Sequence, residues 1–132
     1  MNTNIENLNQ LPLNKIGKIK KGKYTYIIYS KDFPKSAGNP SCVSAEVEET
    51  TGNRLALLCL AAALQRLRRP SLLTIHTDNR YLQNGYQSLP AWKENGWTRT
   101  GNQELRNADL WQQVDKLFGG HAVRFKIEKM DE

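Results

Sequence analysis

Apolar positions along the chain change period several times, and each change marks an element. Lys23 to Ser30, KYTYIIYS, is aromatic and β-branched and predicts a strand. The next stretch, KDFPKSAGNPS, carries Pro34, Gly38, Asn39 and Pro40, which is turn chemistry. In SCVSAEVEE, Val43, Ala45 and Val47 alternate with polar neighbours, giving a second, half-exposed strand antiparallel to the first. Thr50 or Thr51 can cap a helix beginning near Asn53, in which Leu57, Leu60, Leu64 and Leu67 share one face. Ala56, Cys59 and Ala61 to Ala63 make the rest of that helix apolar too, so it is expected in the interior, ended by RLRRP. SLLTIHT is a continuous apolar run of strand length, as in an interior parallel strand. A short helix is expected around Asn79 to Tyr86, where Asp78 can serve as its cap, followed by Pro90 and AWKENGWTRTGNQELRN. Asp109 or Asn107 opens a helix over ADLWQQVDKLF, with Leu110, Val114, Leu117 and Phe118 on one face and Gly119-Gly120 as its stop. HAVRFKIEKM, alternating at Val123, Phe125 and Ile127, is the last strand.

Residues 1–22 show neither period. They are Asn-rich and then Lys-rich, and read as a loosely ordered lead-in or a degenerate first strand ahead of a domain spanning 23–132. Strands alternating with helices predict an α/β sheet.

Composition narrows the chemistry only a little. With 132 residues, 39% hydrophobic and 24% charged, the chain suits one globular domain. A net charge of +6 favours a polyanionic partner. Cys42 and Cys59 lie far apart and match no metal spacing, so free thiols and a reducing, cytoplasmic setting are expected. The polar start offers no signal peptide and no apolar run reaches membrane-spanning length, so no membrane partner is expected. His76 and His121 have no acids at metal-ligand spacing and are read as structural. Glu46, Glu48 and Glu49 read as a solvated strand edge.

Three strings in order add a sharper reading. TTGNRLALLCLAAAL resembles the TTNNRMEL signature of the ribonuclease H type 1 family, and HTDNRYLQNG is similar to its TDSQYV segment. WKENGWTRTGNQELRNADLWQQVD resembles that family's basic protrusion. The resemblance covers roughly Thr50 to Asp115 and implies a mixed five-stranded sheet of order 3-2-1-4-5 flanked by helices, here with the C-terminal helix missing. It also implies a grip on RNA/DNA hybrid, and cleavage of the RNA strand with Mg²⁺ or Mn²⁺ held by four carboxylates. Two divalent cations about 4 Å apart need several oxygen ligands to activate water and stabilise the leaving oxygen.

Carried over one at a time, those carboxylates are mostly absent. The strand-four aspartate matches Asp78, while the helix glutamate falls at Ala56. The element bearing the fourth acid has no counterpart before the chain ends at KMDE. The first acid depends on alignment. Either GKYTYIIYS is strand two and the polar lead-in supplies strand one without an aspartate, or YIIYSKD is strand one and Asp32 lies near the acid's place. Asp131 and Glu132 are remote substitutes.

By the same resemblance Thr51, Asn53 and Arg54 sit at a helix entrance that contacts nucleic acid, and Arg80 replaces a contacting glutamine. Trp92, Lys93, Trp97, Arg99, Arg106 and Asn107 belong to the protrusion, its cations suited to phosphates and its tryptophans mainly to packing, while Trp111 is core. The preferred expectation is a protein that binds RNA/DNA hybrid or other nucleic acid with little or no cleavage and no cofactor. The competing ones are an active ribonuclease using Asp78, Asp32 and further acids, and a structural module. In the last, an uncovered apolar sheet face would support a homodimer or larger assembly.

Overall fold

The structure is a computed structural model that describes residues 2–10, 18–30, 42–99 and 103–129. Its elements are β1 (Asn2–Gln10), β2 (Lys18–Tyr29), β3 (Cys42–Thr51), α1 (Gly52–Leu64), β4 (Leu72–Thr77), α2 (Arg80–Glu94), β5 (Thr98–Arg99), β6 (Gln103–Glu104), α3 (Ala108–Phe118) and β7 (Ala122–Ile127). Five strands form one sheet in the order β3-β2-β1-β4-β7, and β5 pairs with β6 separately. Counted in chain order, the five-stranded sheet runs 3-2-1-4-5, as expected.

The polar stretch at the start of the chain takes the strand alternative and occupies the centre of the sheet. β1 pairs antiparallel with β2, Asn4 opposite Tyr29 through Gln10 opposite Lys23, and parallel with β4, Asn2 opposite Leu72 through Glu6 opposite His76. Backbone groups paired on both edges hold a strand whose side chains give no clean period. β2 begins at Lys18, ahead of the expected Lys23, and contains YIIY, so the alternative that made this string strand one is overturned. Asp32 lies outside the described residues.

α1 is buried along most of its length, through Leu55, Ala56, Leu57, Cys59, Leu60, Ala61, Ala63 and Leu64. It lies with α2 and α3 on one face of the sheet, where Ile5, Tyr26, Leu73 and Ile75 meet Leu82, Leu89, Trp111 and Val114 in a single core. α2 runs on to Glu94, through Pro90, where a shorter helix was expected. Proline removes the bond to the Tyr86 carbonyl. The helix continues because Leu89 is buried on one side of Pro90 and Trp92 packs on the core on the other, while Pro90 itself faces solvent. Trp92 and Trp97 are both partly buried against the core, so the tryptophans do serve packing.

The opposite face of the sheet is covered by no helix among the described residues. It is mixed in character, with Ile27, Tyr29 and Leu72 sharing the face with polar and charged side chains. His76 bridges Glu128 Oε1 at 2.8 Å and Asn4 Oδ1 at 2.9 Å, Arg124 donates to Thr74, and Lys21 pairs with Glu46 at 2.9 Å. Leu72, at 55% exposure, is the only exposed large hydrophobic among the described residues. Tyr29 stacks on His76, and burial followed by the charge of Glu6 pushes its hydroxyl up to about 12. Cys42 is exposed and Cys59 buried, both free, and burial pushes the Cys59 thiol up to about 12. No helix among the described residues is long and apolar enough to cross a membrane.

Candidate nucleic-acid interface

Three helices begin at one end of the sheet, and side chains tie their N-termini together. Thr51 opens α1, its hydroxyl accepting from the Arg54 amide at 3.1 Å. Asn79 opens α2, its Oδ1 accepting from the Tyr81 amide at 2.8 Å, so Asn79 is the cap and Asp78 is not. Both residue types cap well, and the side chain whose backbone lies at the helix entrance takes the role. Asn107 stands at the N-cap position of α3 with φ 59°, a left-handed conformation that asparagine tolerates better than most residues.

These openings are cross-linked. Asn79 Nδ2 donates to Asn53 Oδ1 at 3.3 Å, joining α2 to α1. Arg54 joins α1 to α3: its guanidinium donates to Asn107 Oδ1 at 3.2 Å and to both carboxylate oxygens of Asp109, at 3.2 and 2.8 Å. The hydrogen bond to Asp109 raises the Arg54 pKa, and the same bond holds the Asp109 carboxyl below its ordinary value. Tyr81 closes the ring, its hydroxyl accepting from Asn107 Nδ2 at 3.1 Å and from Trp111 Nε1 at 3.0 Å. Arg54 and Asn107, expected at nucleic acid, hold the helix ends together. Partial positive charge from three helix starts collects at this end of the molecule.

Outward from this ring, Asn53, Asp78, Arg80 and Arg106 are exposed. Lys93 lies apart, paired with Asp115 at 3.4 Å beside a groove between α2 and α3. Arg99 is in the β5 hairpin, its backbone opposite Gln103. Thr51 is half-buried at its cap. The convergence thus gathers Thr51, Asn53, Arg54, Arg80, Arg106 and Asn107, and leaves Lys93 and the two tryptophans on the protrusion.

Behind the ring lies a buried polar cluster that the sequence pattern did not reveal. Asn7, fully buried on β1, donates through Nδ2 to the Ala56 carbonyl at 3.0 Å. Its Oδ1 accepts from Thr77 Oγ1 at 3.1 Å and from Asn9 Nδ2 at 2.8 Å. Thr77 Oγ1 in turn accepts from the Asn79 amide at 3.1 Å, which carries the network out to the helix starts. The Asn-rich composition of NIENLNQ was the available signal, but it reads equally well as disorder.

This donor set does not fit a pair of divalent cations. Ala56 offers no oxygen from its side chain, Asn7 is neutral, and no group of three or more His, Cys, Asp or Glu among the described residues is placed to hold a metal. Asp131 and Glu132, like Asp32, lie outside the described residues.

Comparison with known proteins agrees with this architecture. A ribonuclease H from Francisella philomiragia is 44% identical over 88 residues, covering 66% of this chain and 58% of its own length. One from Paracoccus denitrificans is 43% identical over 79 residues, covering 59% of this chain and 51% of its own. The chain thus spans little more than half the length of these curated relatives. Among solved structures, LC9-RNase H1, described as a type 1 RNase H with the type 2 active-site motif, superposes with a TM-score of 0.71 at 24% identity, covering 95% of this chain and 61% of that one. The foamy viral protease-reverse transcriptase in complex with RNA/DNA hybrid gives 0.69 at 11% identity, covering 95% and 17%. Those two likenesses speak for the fold alone. The RNase H family profile matches residues 15–129, from β2 to the end of the described structure and leaving β1 outside it. A sheet of order 3-2-1-4-5 with its helix starts gathered at one end, matched by that profile over most of its length, makes this chain a member of the RNase H family.

Proposed function

We propose that this chain binds nucleic acid, RNA/DNA hybrid foremost, at the convergence of the α1, α2 and α3 N-termini, with little or no cleavage of the bound strand. The observation that carries the reading is that convergence itself. Three helix starts, locked by the Asn79–Asn53 and Arg54–Asn107 bonds, gather partial positive charge at one end of the molecule, with the exposed Arg80 and Arg106 at the starts of α2 and α3. A phosphate backbone is the ligand such a surface suits, because its affinity is electrostatic and needs no base contacts. Membership of the RNase H family supports the same ligand, and the foamy viral neighbour was solved with RNA/DNA hybrid. The donor set supports little or no cleavage, since among the described residues no three His, Cys, Asp or Glu are grouped to hold a metal.

Fluorescence anisotropy with a labelled RNA/DNA hybrid tests the reading. Arg80→Ala combined with Arg106→Ala should weaken binding at every sequence and lower the salt slope by about one unit for each phosphate no longer neutralised. Lys93→Ala should do less, since its ammonium is paired with Asp115. No binding at low salt, or an unchanged slope in the double variant, would sink the proposed surface. Metal-dependent cleavage of an end-labelled hybrid in Mg²⁺ or Mn²⁺ would refute the second half of the reading.

A further inference from the structure

The network behind the helix starts has a definite chemical character: it is made of amides, hydroxyls and backbone groups, with no charge among them. We propose that this end of the sheet holds a neutral hydrogen-bonded network in the place of a metal centre, so that the chain takes no divalent cation at Asp78 and engages nucleic acid without one. The clause about nucleic acid rests on the function proposed above; the clause about the cation does not.

Asn7 carries the argument. Both ends of its amide are committed, Nδ2 as donor to the Ala56 carbonyl and Oδ1 as acceptor from Thr77 and Asn9. An aspartate could replace the acceptor end but not the donor end, since an ionised carboxylate only accepts. Aspartate at this position would set a carboxylate oxygen against the Ala56 carbonyl at about the present 3.0 Å, in a fully buried site. Uncompensated charge is disfavoured there. Asn7 is therefore built into the junction of β1, α1 and β4 as an amide, and the position does not function as a carboxylate with its charge removed.

Its neighbours point the same way. Ala56 is fully buried against the core and brings no ligand. Asn9 Oδ1 is the only buried side-chain polar atom without a partner among the described residues, and a single neutral amide oxygen is a weak ligand for Mg²⁺ or Mn²⁺. Asp78 lies exposed, one carboxylate at a surface. Affinity for hard cations rises with the number of charged oxygens and the rigidity of the site, and among the described residues no three His, Cys, Asp or Glu are grouped to hold one.

Isothermal titration calorimetry of the whole chain with Mn²⁺ as the probe decides the cation. Wild type and Asp78→Asn should give the same unsaturated trace through the millimolar range. Saturable binding in wild type that Asp78→Asn weakens by about tenfold or more would overturn the proposal. Asn7→Asp tests the network: its folding equilibrium should fall by about tenfold or more, or the variant should fail to fold, and undiminished stability would overturn the argument. Hybrid affinity measured in EDTA and in Mg²⁺ at matched ionic strength should be equal, and a requirement for Mg²⁺ would overturn it. No hybrid binding under either condition would refute the proposed function, with the calorimetry still deciding the cation.

Discussion

Gly85 is where α2 comes close to the side chain that anchors α3. A Cβ built on Gly85 would lie 2.1 and 2.2 Å from Trp111 Cζ2 and Cη2, and 2.9 Å from Cε2. The indole has nowhere to go, being fully buried, packed against Tyr81 and Trp92, and held by its Nε1 bond to the Tyr81 hydroxyl. Gly85→Ala in a helix interior would ordinarily gain about 1 kcal/mol from backbone entropy. Overpacking a well-filled core costs about 1–3 kcal/mol and occasionally more, and approaches this short to a rigid ring belong at the upper end. The net expectation is a loss of about 1–2 kcal/mol, hence a Tm lowered by about 3–10 °C for a domain of this size. The displacement should also reach the surface, because the Tyr81 hydroxyl that receives Trp111 also receives Asn107. Hybrid affinity should therefore fall alongside Tm, measured by anisotropy well below the new melting temperature. A Gly85→Ala variant as stable as wild type would refute the packing argument, and lowered stability with unchanged affinity would refute the coupling between the core and the helix starts.

Other expectations follow from single side chains. Asp109 is held below its ordinary pKa by Arg54, so its stabilisation is present above the unfolded carboxylate value and is lost as pH falls through the folded one. Since the pair is partly exposed, Asp109→Asn should cost about 0.2–1 kcal/mol in urea unfolding at neutral pH, with the gap closing toward pH 3. A gap constant across that range would show that charge is not its source. On the opposite face, His76→Ala removes partners from both Glu128 and Asn4 and should cost about 1–3 kcal/mol by chemical denaturation. Native thiol labelling should modify the exposed Cys42 quickly and Cys59 only on unfolding, because burial keeps the Cys59 thiol protonated. Rapid reaction of both thiols in the native protein would contradict that burial.

What the sequence disclosed and what it hid divide along physical lines. α3 and β7 were legible because each buries one face and burial imposes a period on the residues that face the core, and α1 and β4 because their apolar runs are nearly continuous. β1 was legible only as one of two alternatives, since its buried members include Asn7 and Glu6, and a central strand satisfied by hydrogen bonds leaves no apolar rhythm. α2 was underestimated because Pro90 is a strong local signal, outweighed by Leu89 and Trp92 on the core. The cap at Asp78 missed by one residue, as expected where two adjacent residues can both cap. The tie from Arg54 to Asp109 joins positions 55 apart, a pairing that only the folded chain reveals. Asp78 stands just before α2 and Ala56 inside α1, whereas Asn7 was beyond the reach of the resemblance, which covers roughly Thr50 to Asp115 and leaves β1 outside it.

A cluster of carboxylates at the end of a sheet is a destabilising arrangement when no cation is bound, since like charges in a partly buried site repel and each resists desolvation. Proteins accept that cost where the chemistry requires it. At the corresponding end of this sheet the interior groups are instead Asn7, Thr77, Asn9 and the Ala56 carbonyl, which satisfy one another and link β1 and β4 to the start of α2. The same groups that stabilise the junction also fix where Asn79 and Asn53 meet, so the helix starts and the core stabilise each other. A neutral interior beneath the three helix starts adds no repulsion toward a phosphate backbone. A variant that introduces buried charge at Asn7 should lose stability and, under the proposed function, hybrid affinity together.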